Sequence, residues 1–214
     1  MEKYFNVDME AVIFDLDGTL WDATETTFQS WKHVMDSHKN VTTPLTKELL
    51  KSYMGLQLDE IARRHMGYIE EAERLKIIEE CSDYQNVILE KQGAILYPNL
   101  ESTLKKLHEK VKLFVVSNCG NGYIEAFIKA HGFEDYFDDF ECPGRTGLSK
   151  AKNIRVVMER NNIKNAVYLG DTQKDADSAE EAEIPFIYAR YGFGEVKNYK
   201  YYIDEFQQLL KYFD

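Results

Sequence analysis

Four short segments carry side chains that could do chemistry together: Asp15-Leu16-Asp17-Gly18-Thr19, Ser117-Asn118, Lys150, and Gly170-Asp171 with Asp175. Asp15, Asp17, Asp171 and Asp175 are carboxylates. Brought to close quarters, like charges raise one another's pKa and destabilise the fold unless a cation intervenes. Hard oxygen ligands of this kind suit Mg²⁺, which keeps waters and is completed by substrate phosphate oxygens. A hydroxyl (Ser117), free backbone N–H groups at Asn118 and in the turns, and the ammonium of Lys150 add what a phosphoryl group needs. An EF-hand is excluded, because its loop wants Gly at the sixth position and Glu at the twelfth. Counting from Asp15, those positions hold Leu20 and Thr26.

The segments matter only if the chain brings them together, and the intervening pattern says how it does so. Ala11-Val12-Ile13-Phe14, Leu113-Phe114-Val115-Val116 and Ala166-Val167-Tyr168-Leu169 are continuous apolar runs, as expected of strands buried on both faces. Each ends in one of the polar segments. Between them lie helical patterns: Leu100, Leu104 and Leu107; a helix from about Gly122 to Ala130; Ile154, Val157 and Met158 on one side of a helix that Lys150 opens; and a helix over Ala176 to Ala182. A loop through Cys142-Pro143-Gly144-Arg145-Thr146-Gly147, a further run at Pro185 to Ala189, and a C-terminal helix around Leu209-Leu210 complete the pattern. Strands alternating with helices imply crossover units and a mostly parallel sheet. In such a sheet ligands bind outside the carboxyl ends of the strands. Asp15 and Asp171, more than 150 residues apart, are therefore expected in one crevice.

Residues 21–92 differ in character, with helical periodicity and no good strand. Ile77, Cys81, Tyr84 and Ile88 draw one apolar stripe, and Gly55 and Gly67 mark breaks between shorter helices. The expected organisation is an α/β core from residues 1–20 and 93–214 with an all-helical cap, 21–92, inserted after the first strand.

Composition narrows the class. The 214 residues carry 26 Lys+Arg against 37 Asp+Glu, a net charge of −11, which disfavours nucleic acid and anionic membrane as partners. With 44% hydrophobic residues a packed core is affordable, and no stretch approaches the ~18 apolar residues that span a bilayer. Three scattered cysteines make neither a disulfide scaffold nor a zinc site, and Met1 to Asp8 is charged where a signal peptide needs an apolar run. A cytoplasmic protein is the expectation; oligomeric state is not legible.

Taken in order, these segments resemble the haloacid-dehalogenase (HAD) superfamily, in the phosphoglycolate-phosphatase-like and β-phosphoglucomutase-like branch with an inserted helical cap. Asp15-Leu16-Asp17-Gly18-Thr19-Leu20 matches the first family motif, Val116-Ser117-Asn118 the second, Lys150 the third, and Gly170-Asp171-Thr172 with Asp175 the fourth. The chain departs at the third, with Ala151 where many members have Pro, and Lys152 stands nearby as a second candidate lysine. The resemblance implies a Rossmann-like fold and a Mg²⁺-dependent phosphatase acting on a small phosphorylated metabolite. Asp15 would be the nucleophile that becomes an aspartyl-phosphate, and Asp17 the general acid and base. Ser117, Asn118 and Lys150 would hold the phosphate. The Asp15 side chain, the Asp17 carbonyl, Asp171 and Asp175 would hold or back the metal. Dehalogenases of this fold lack the second aspartate, so Asp17 points to an oxygen-linked phosphate. A phosphosugar mutase is the alternative, and a receiver-like signalling module, which has no lid and no Asp-x-Asp-Gly-Thr, is disfavoured. Lys51, Arg63, Arg64 and His65 are the cap's candidate substrate contacts, though a solvated surface charge is the better reading of each by itself.

Overall fold

The computed structural model describes residue 5 and residues 8–213. The charged stretch Met1 to Asp8 therefore lies outside the described residues, apart from Phe5 and Asp8. Among the described residues no helix is long and apolar enough to cross a membrane.

In chain order the elements are β1 (Ala11–Phe14), β2 (Trp21–Asp22), α1 (Thr24–Ser37), α2 (Lys47–Lys51), α3 (Leu58–Met66), α4 (Glu71–Gln92), β3 (Ile95–Leu96), α5 (Leu100–His108), β4 (Lys112–Val116), α6 (Tyr123–His131), β5 (Asp139–Glu141), α7 (Pro143–Thr146), α8 (Lys150–Arg160), β6 (Ala166–Gly170), α9 (Gln173–Glu181), β7 (Phe186–Ala189) and β8 (Tyr201–Ile203), closed by a 3₁₀ segment Phe206–Tyr212. Six strands form one sheet in the order β5-β4-β1-β6-β7-β8, every neighbouring pair parallel. Read by sequence rank this is the 3-2-1-4-5-6 order of a doubly wound α/β sheet, whose direction of winding reverses between β1 and β6.

The apolar runs sit at the centre because both faces need covering. Along β1, Val12 and Phe14 join the cluster with α5 and α6, while Ala11 and Ile13 join the opposite cluster with α8 and α9. That alternation is the period of two in a pleated strand, repeated in β4 and β6. All four β1 side chains are buried.

The inserted helical cap has its own core. Trp31, Leu50, Ile61, Met66, Ile77 and Cys81 pack together across α1–α4, separate from both sheet clusters. Here the stripe differs from expectation. The buried face of α4 is Ile77, Ile78, Cys81, Ser82, Gln85 and Leu89, whereas Tyr84 is exposed. Gln85 is buried because its amide is fully used, accepting from Trp31 Nε1 and donating to Thr27 Oγ1 at 2.9 Å. The block also contains a strand after all. β2 pairs with β3 as an antiparallel two-residue ribbon where the chain leaves and re-enters the core, too short to show any periodicity. Trp21, on that ribbon, is buried in the sheet's cluster.

Short elements account for the other differences. β5 and β8, three residues each, were not anticipated; the Pro143 loop closes a single helical turn; α9 starts at Gln173, and the C-terminal helix is 3₁₀. α9 begins early because Thr172 and Asp175 form a capping box, a device worth about 1 kcal/mol.

Candidate active site

β1 is flanked by β4 and β6 in matched register, with Phe14 opposite Val115 on one side and Leu169 on the other. The residues that follow therefore emerge at one edge: Asp15 from β1, Ser117 from β4, and Asp171 from β6. This is the edge where the winding reverses, the usual crevice of such folds. After Asp17 the chain turns through Gly18 at φ +81°, and Gly18 N–H donates to the Trp21 carbonyl at 2.9 Å. Only glycine fits: a Cβ there would lie 2.3 Å from Asp171 Oδ2.

Asp15, Asp171 and Asp175 are all buried, with one oxygen of each within 4.8 Å of the others. Among the described residues one side-chain cation answers them. Lys150 Nζ, opening α8 behind the N-cap Ser149, donates to Asp15 Oδ1 at 2.9 Å and to Asp175 Oδ1 at 2.5 Å. The alternative lysine is excluded from this cluster, since Lys152 is exposed. Burial works against the charge on Lys150, but Asp15 and Asp175 outweigh it and hold its pKa well above the ordinary value. Burial, and then Asp175, push the Asp15 carboxyl up to about 6, while Lys150 and a hydrogen bond from Ser117 pull it down. Burial followed by Asp175 and Asp15 raises Asp171 well above the usual carboxylate range. Three carboxylates against one ammonium leave the cluster short of positive charge, and hard oxygens at this spacing fit a small divalent cation.

The three carboxylates are not equivalent. Asp175 Oδ2 already accepts from the Thr172 N–H at 2.9 Å, the Thr172 hydroxyl at 2.7 Å and the Asp171 N–H at 3.2 Å. With Oδ1 on Lys150, its oxygens are committed to shaping the β6–α9 turn. Asp171 is steadied by the Phe193 N–H on Oδ2, 2.7 Å away, and Gly192 packs so closely that a Cβ would sit 2.3 Å from Asp171 Cβ. The Tyr191–Gly194 stretch is thus part of the site, tied down further by Tyr191 donating to the Thr19 carbonyl at 2.8 Å.

Asp17 faces the other way, into a cavity under the cap. Tyr123 Oη donates to its Oδ1 at 2.7 Å and Trp21 Nε1 to the same oxygen at 3.0 Å. Oδ2 carries no hydrogen bond from any described residue. Burial lifts the Asp17 carboxyl to about 7, against the two donors and with help from Asp15. In the cap's core nearby, the Thr27 hydroxyl accepts from the Gln85 amide at 2.9 Å, and the Gln85 carbonyl oxygen accepts from Trp31 Nε1.

Sequence reasoning missed Tyr123 and Trp21 as site residues; Tyr191-Gly192-Phe193-Gly194 reads in the sequence as a loop near the site rim or a plain connection, with no role for Phe193. Tyr123 and Trp21 look like apolar packing in the sequence, and Phe193 acts through its backbone, so no side-chain signal exists. Asn118 does join cap to core, but through its side chain: Nδ2 donates to the Gly55 carbonyl at 3.1 Å. Of the cap's candidate contacts, Lys51, Arg63 and Arg64 are exposed, and His65 is buried against Tyr53 Oη at 3.2 Å. None of the four lines the cavity.

The chain is similar to known proteins along most of its length. It is 25% identical over 192 residues to phosphoglycolate phosphatase from Rhodobacter capsulatus, covering 86% of this chain and 85% of that one. It is 25% identical over 191 residues to a phosphorylated carbohydrates phosphatase from Thermotoga maritima, covering 84% of each. Among solved structures, CbbY from Rhodobacter sphaeroides, a mutant in complex with xylulose-(1,5)bisphosphate, superposes with a TM-score of 0.81 at 18% identity, over 97% of this chain and all of that one. The family model for haloacid dehalogenase-like hydrolases matches residues 12–189, from β1 to the end of β7 and so through every strand-end segment of the site. The chain belongs to the haloacid dehalogenase-like hydrolase family.

Proposed function

We propose that this protein is a Mg²⁺-dependent phosphatase that hydrolyses a small phosphate monoester through an aspartyl-phosphate on Asp15. The observation that carries the reading is the meeting of Asp15, Asp171 and Lys150 beside the strand ends, with Asp17, two residues on from Asp15, lining the cavity under the cap. Similarity to two phosphatases along more than four-fifths of the chain agrees with it.

The roles follow from the chemistry of each group. The Asp15 carboxylate attacks phosphorus; its O–P bond forms as the bond to the leaving oxygen breaks. Asp17, whose carboxyl is held protonated to about pH 7, gives its proton from the unbonded Oδ2 to the leaving oxygen. Water then attacks the phosphoryl group, Asp17 takes a proton from it, and the Asp15–phosphorus bond breaks to release inorganic phosphate. Lys150, Ser117 and the Asn118 N–H neutralise the equatorial oxygens, where the transition state spreads its charge. Asp15, Asp171 and the Asp17 carbonyl would hold Mg²⁺, with Asp175 orienting Lys150 and Asp171 from behind. When bound, the metal supplies charge neutralisation between two anions that must meet. Residues 21–92 act as the lid that excludes water, hinged at the β2–β3 ribbon.

Phosphate release from p-nitrophenyl phosphate tests this. Activity should require Mg²⁺, be abolished by chelator and by Asp15→Asn, fall at least 100-fold in Lys150→Ala, and survive in Lys152→Ala. Turnover that persists in Asp15→Asn refutes the mechanism.

A further inference from the structure

The leaving group must sit where Asp17 can protonate it, so the cavity that Asp17 lines decides which alcohol is released. That cavity, of about 70 Å³, lies between the strand ends and the cap. Its cap side is mostly apolar, with Trp31, Leu50, Met54, Leu56, Leu58 and Ile61 interrupted by a few hydroxyl and amide groups. Among the described residues no Lys, Arg or His lines it. Lys150 lies with Asp15 and Asp175, outside the cavity lining, and Arg64 and Lys174 both pair with Glu60. An anionic substituent here would lose its hydration next to Asp17 with no cation in the lining to answer it.

Polar capacity in the cavity is nearly all used within the protein. Gln85 is bonded at both ends, Thr27 Oγ1 accepts from it, and Tyr53 Oη meets His65 Nδ1 at 3.2 Å. The Ser82 hydroxyl also lines the cavity, and among the fully buried atoms of its lining Asn118 Oδ1 is an acceptor with no partner. An unmet buried acceptor is satisfied by a single donor such as a hydroxyl.

Resting on the phosphatase reading, we infer that the substrate is the phosphate ester of a small uncharged alcohol, mainly apolar and with one further hydroxyl. Esters whose leaving group carries a carboxylate or a second phosphate are discriminated against. The inference sets this chain apart from its phosphoglycolate-hydrolysing relative, whose named substrate bears a carboxylate.

A matched series tests it: 3-hydroxypropyl phosphate, 2-carboxyethyl phosphate and propane-1,3-diyl bisphosphate share one three-carbon chain and differ only in the terminal group. kcat/KM is measured for each with Mg²⁺, and p-nitrophenyl phosphate serves as a general phosphatase probe. The hydroxyl ester should exceed both anionic esters by ~30-fold or more, the direction set by burying an unpaired charge. In Met54→Lys, which places an ammonium in the half-buried wall, the ratio of carboxyl to hydroxyl ester should rise at least 10-fold. Equal or better turnover of either anionic ester by the wild type overturns the inference while leaving the phosphatase reading intact. An unchanged ratio in a Met54→Lys enzyme still active on p-nitrophenyl phosphate overturns the assignment of the cavity. No hydrolysis of any ester, the general probe included, refutes the phosphatase reading and the inference with it.

Discussion

Asp15→Asn should abolish activity and yet make the metal-free protein more stable. The folded chain holds the Asp15 carboxyl at about 6 instead of its ordinary 3.8, because burial and Asp175 together outweigh Lys150 and Ser117. A carboxyl with a raised folded-state pKa binds its proton more tightly folded than unfolded. Stability therefore falls as pH rises from about 4 to about 6, and the whole deficit is present at pH 7.5. The gap from 3.8 to about 6, at 1.36 kcal/mol for each tenfold in proton affinity, is about 3 kcal/mol. Asparagine keeps the shape without the charge. Its Oδ1 can still accept from Lys150, and its Nδ2 can donate to the Ser117 hydroxyl once that rotates. In chelator at pH 7.5 the variant should melt about 6–12 °C above wild type, given 2–4 °C per kcal/mol for a chain of this size. Near pH 4, where the folded Asp15 carboxyl is protonated and the unfolded one only about half ionised, most of the difference should be gone. Thermal melts at both pH values decide the matter. A variant no more stable than wild type at pH 7.5, or an advantage equally large at pH 4, would refute the electrostatic account.

Two other expectations follow from the geometry. Tyr123→Phe removes the 2.7 Å donor from Asp17, a hydrogen bond to a charged group worth ~1.5–3 kcal/mol, so the Asp17 carboxyl should rise by about one to two pKa units above 7. The limb of the kcat/KM–pH profile on which the general acid loses its proton should move up with it; an unmoved limb would remove Tyr123 from the proton-transfer step. Gly192→Ala puts a Cβ against Asp171 Cβ and the Gly18 carbonyl oxygen, 2.3 and 2.5 Å away, and should weaken half-saturation by Mg²⁺ about 10–100-fold; unaltered Mg²⁺ dependence would show that the loop does not position Asp171.

The central layout was legible in the sequence for a physical reason. A strand buried on both faces is a continuous apolar run, and the residue where it meets solvent again changes type abruptly, so Ala11–Phe14, Leu113–Val116 and Ala166–Leu169 announce both the elements and Asp15, Ser117 and Asp171 at their ends. Parallel topology then sends those ends to one edge. Lys150 was legible as a helix opener, but not its preference over Lys152, because both precede or occupy the first turn and only packing buries one of them. The edge strands β5 and β8 and the β2–β3 ribbon left no pattern, being two or three residues long and defined by their neighbours.

Local chemistry along the chain thus determined which residues could react. What tertiary structure alone decided is how they are held: Tyr123 and Trp21 on Asp17, the Phe193 amide on Asp171, Gln85 bridging Trp31 and Thr27, and a cavity wall without a cation. These are contacts across up to about a hundred residues, made by aromatic rings, backbone groups and an amide whose types signal nothing singly. Their function comes from the direction of a donor or the absence of a charge at a point in space, and linear order does not encode either.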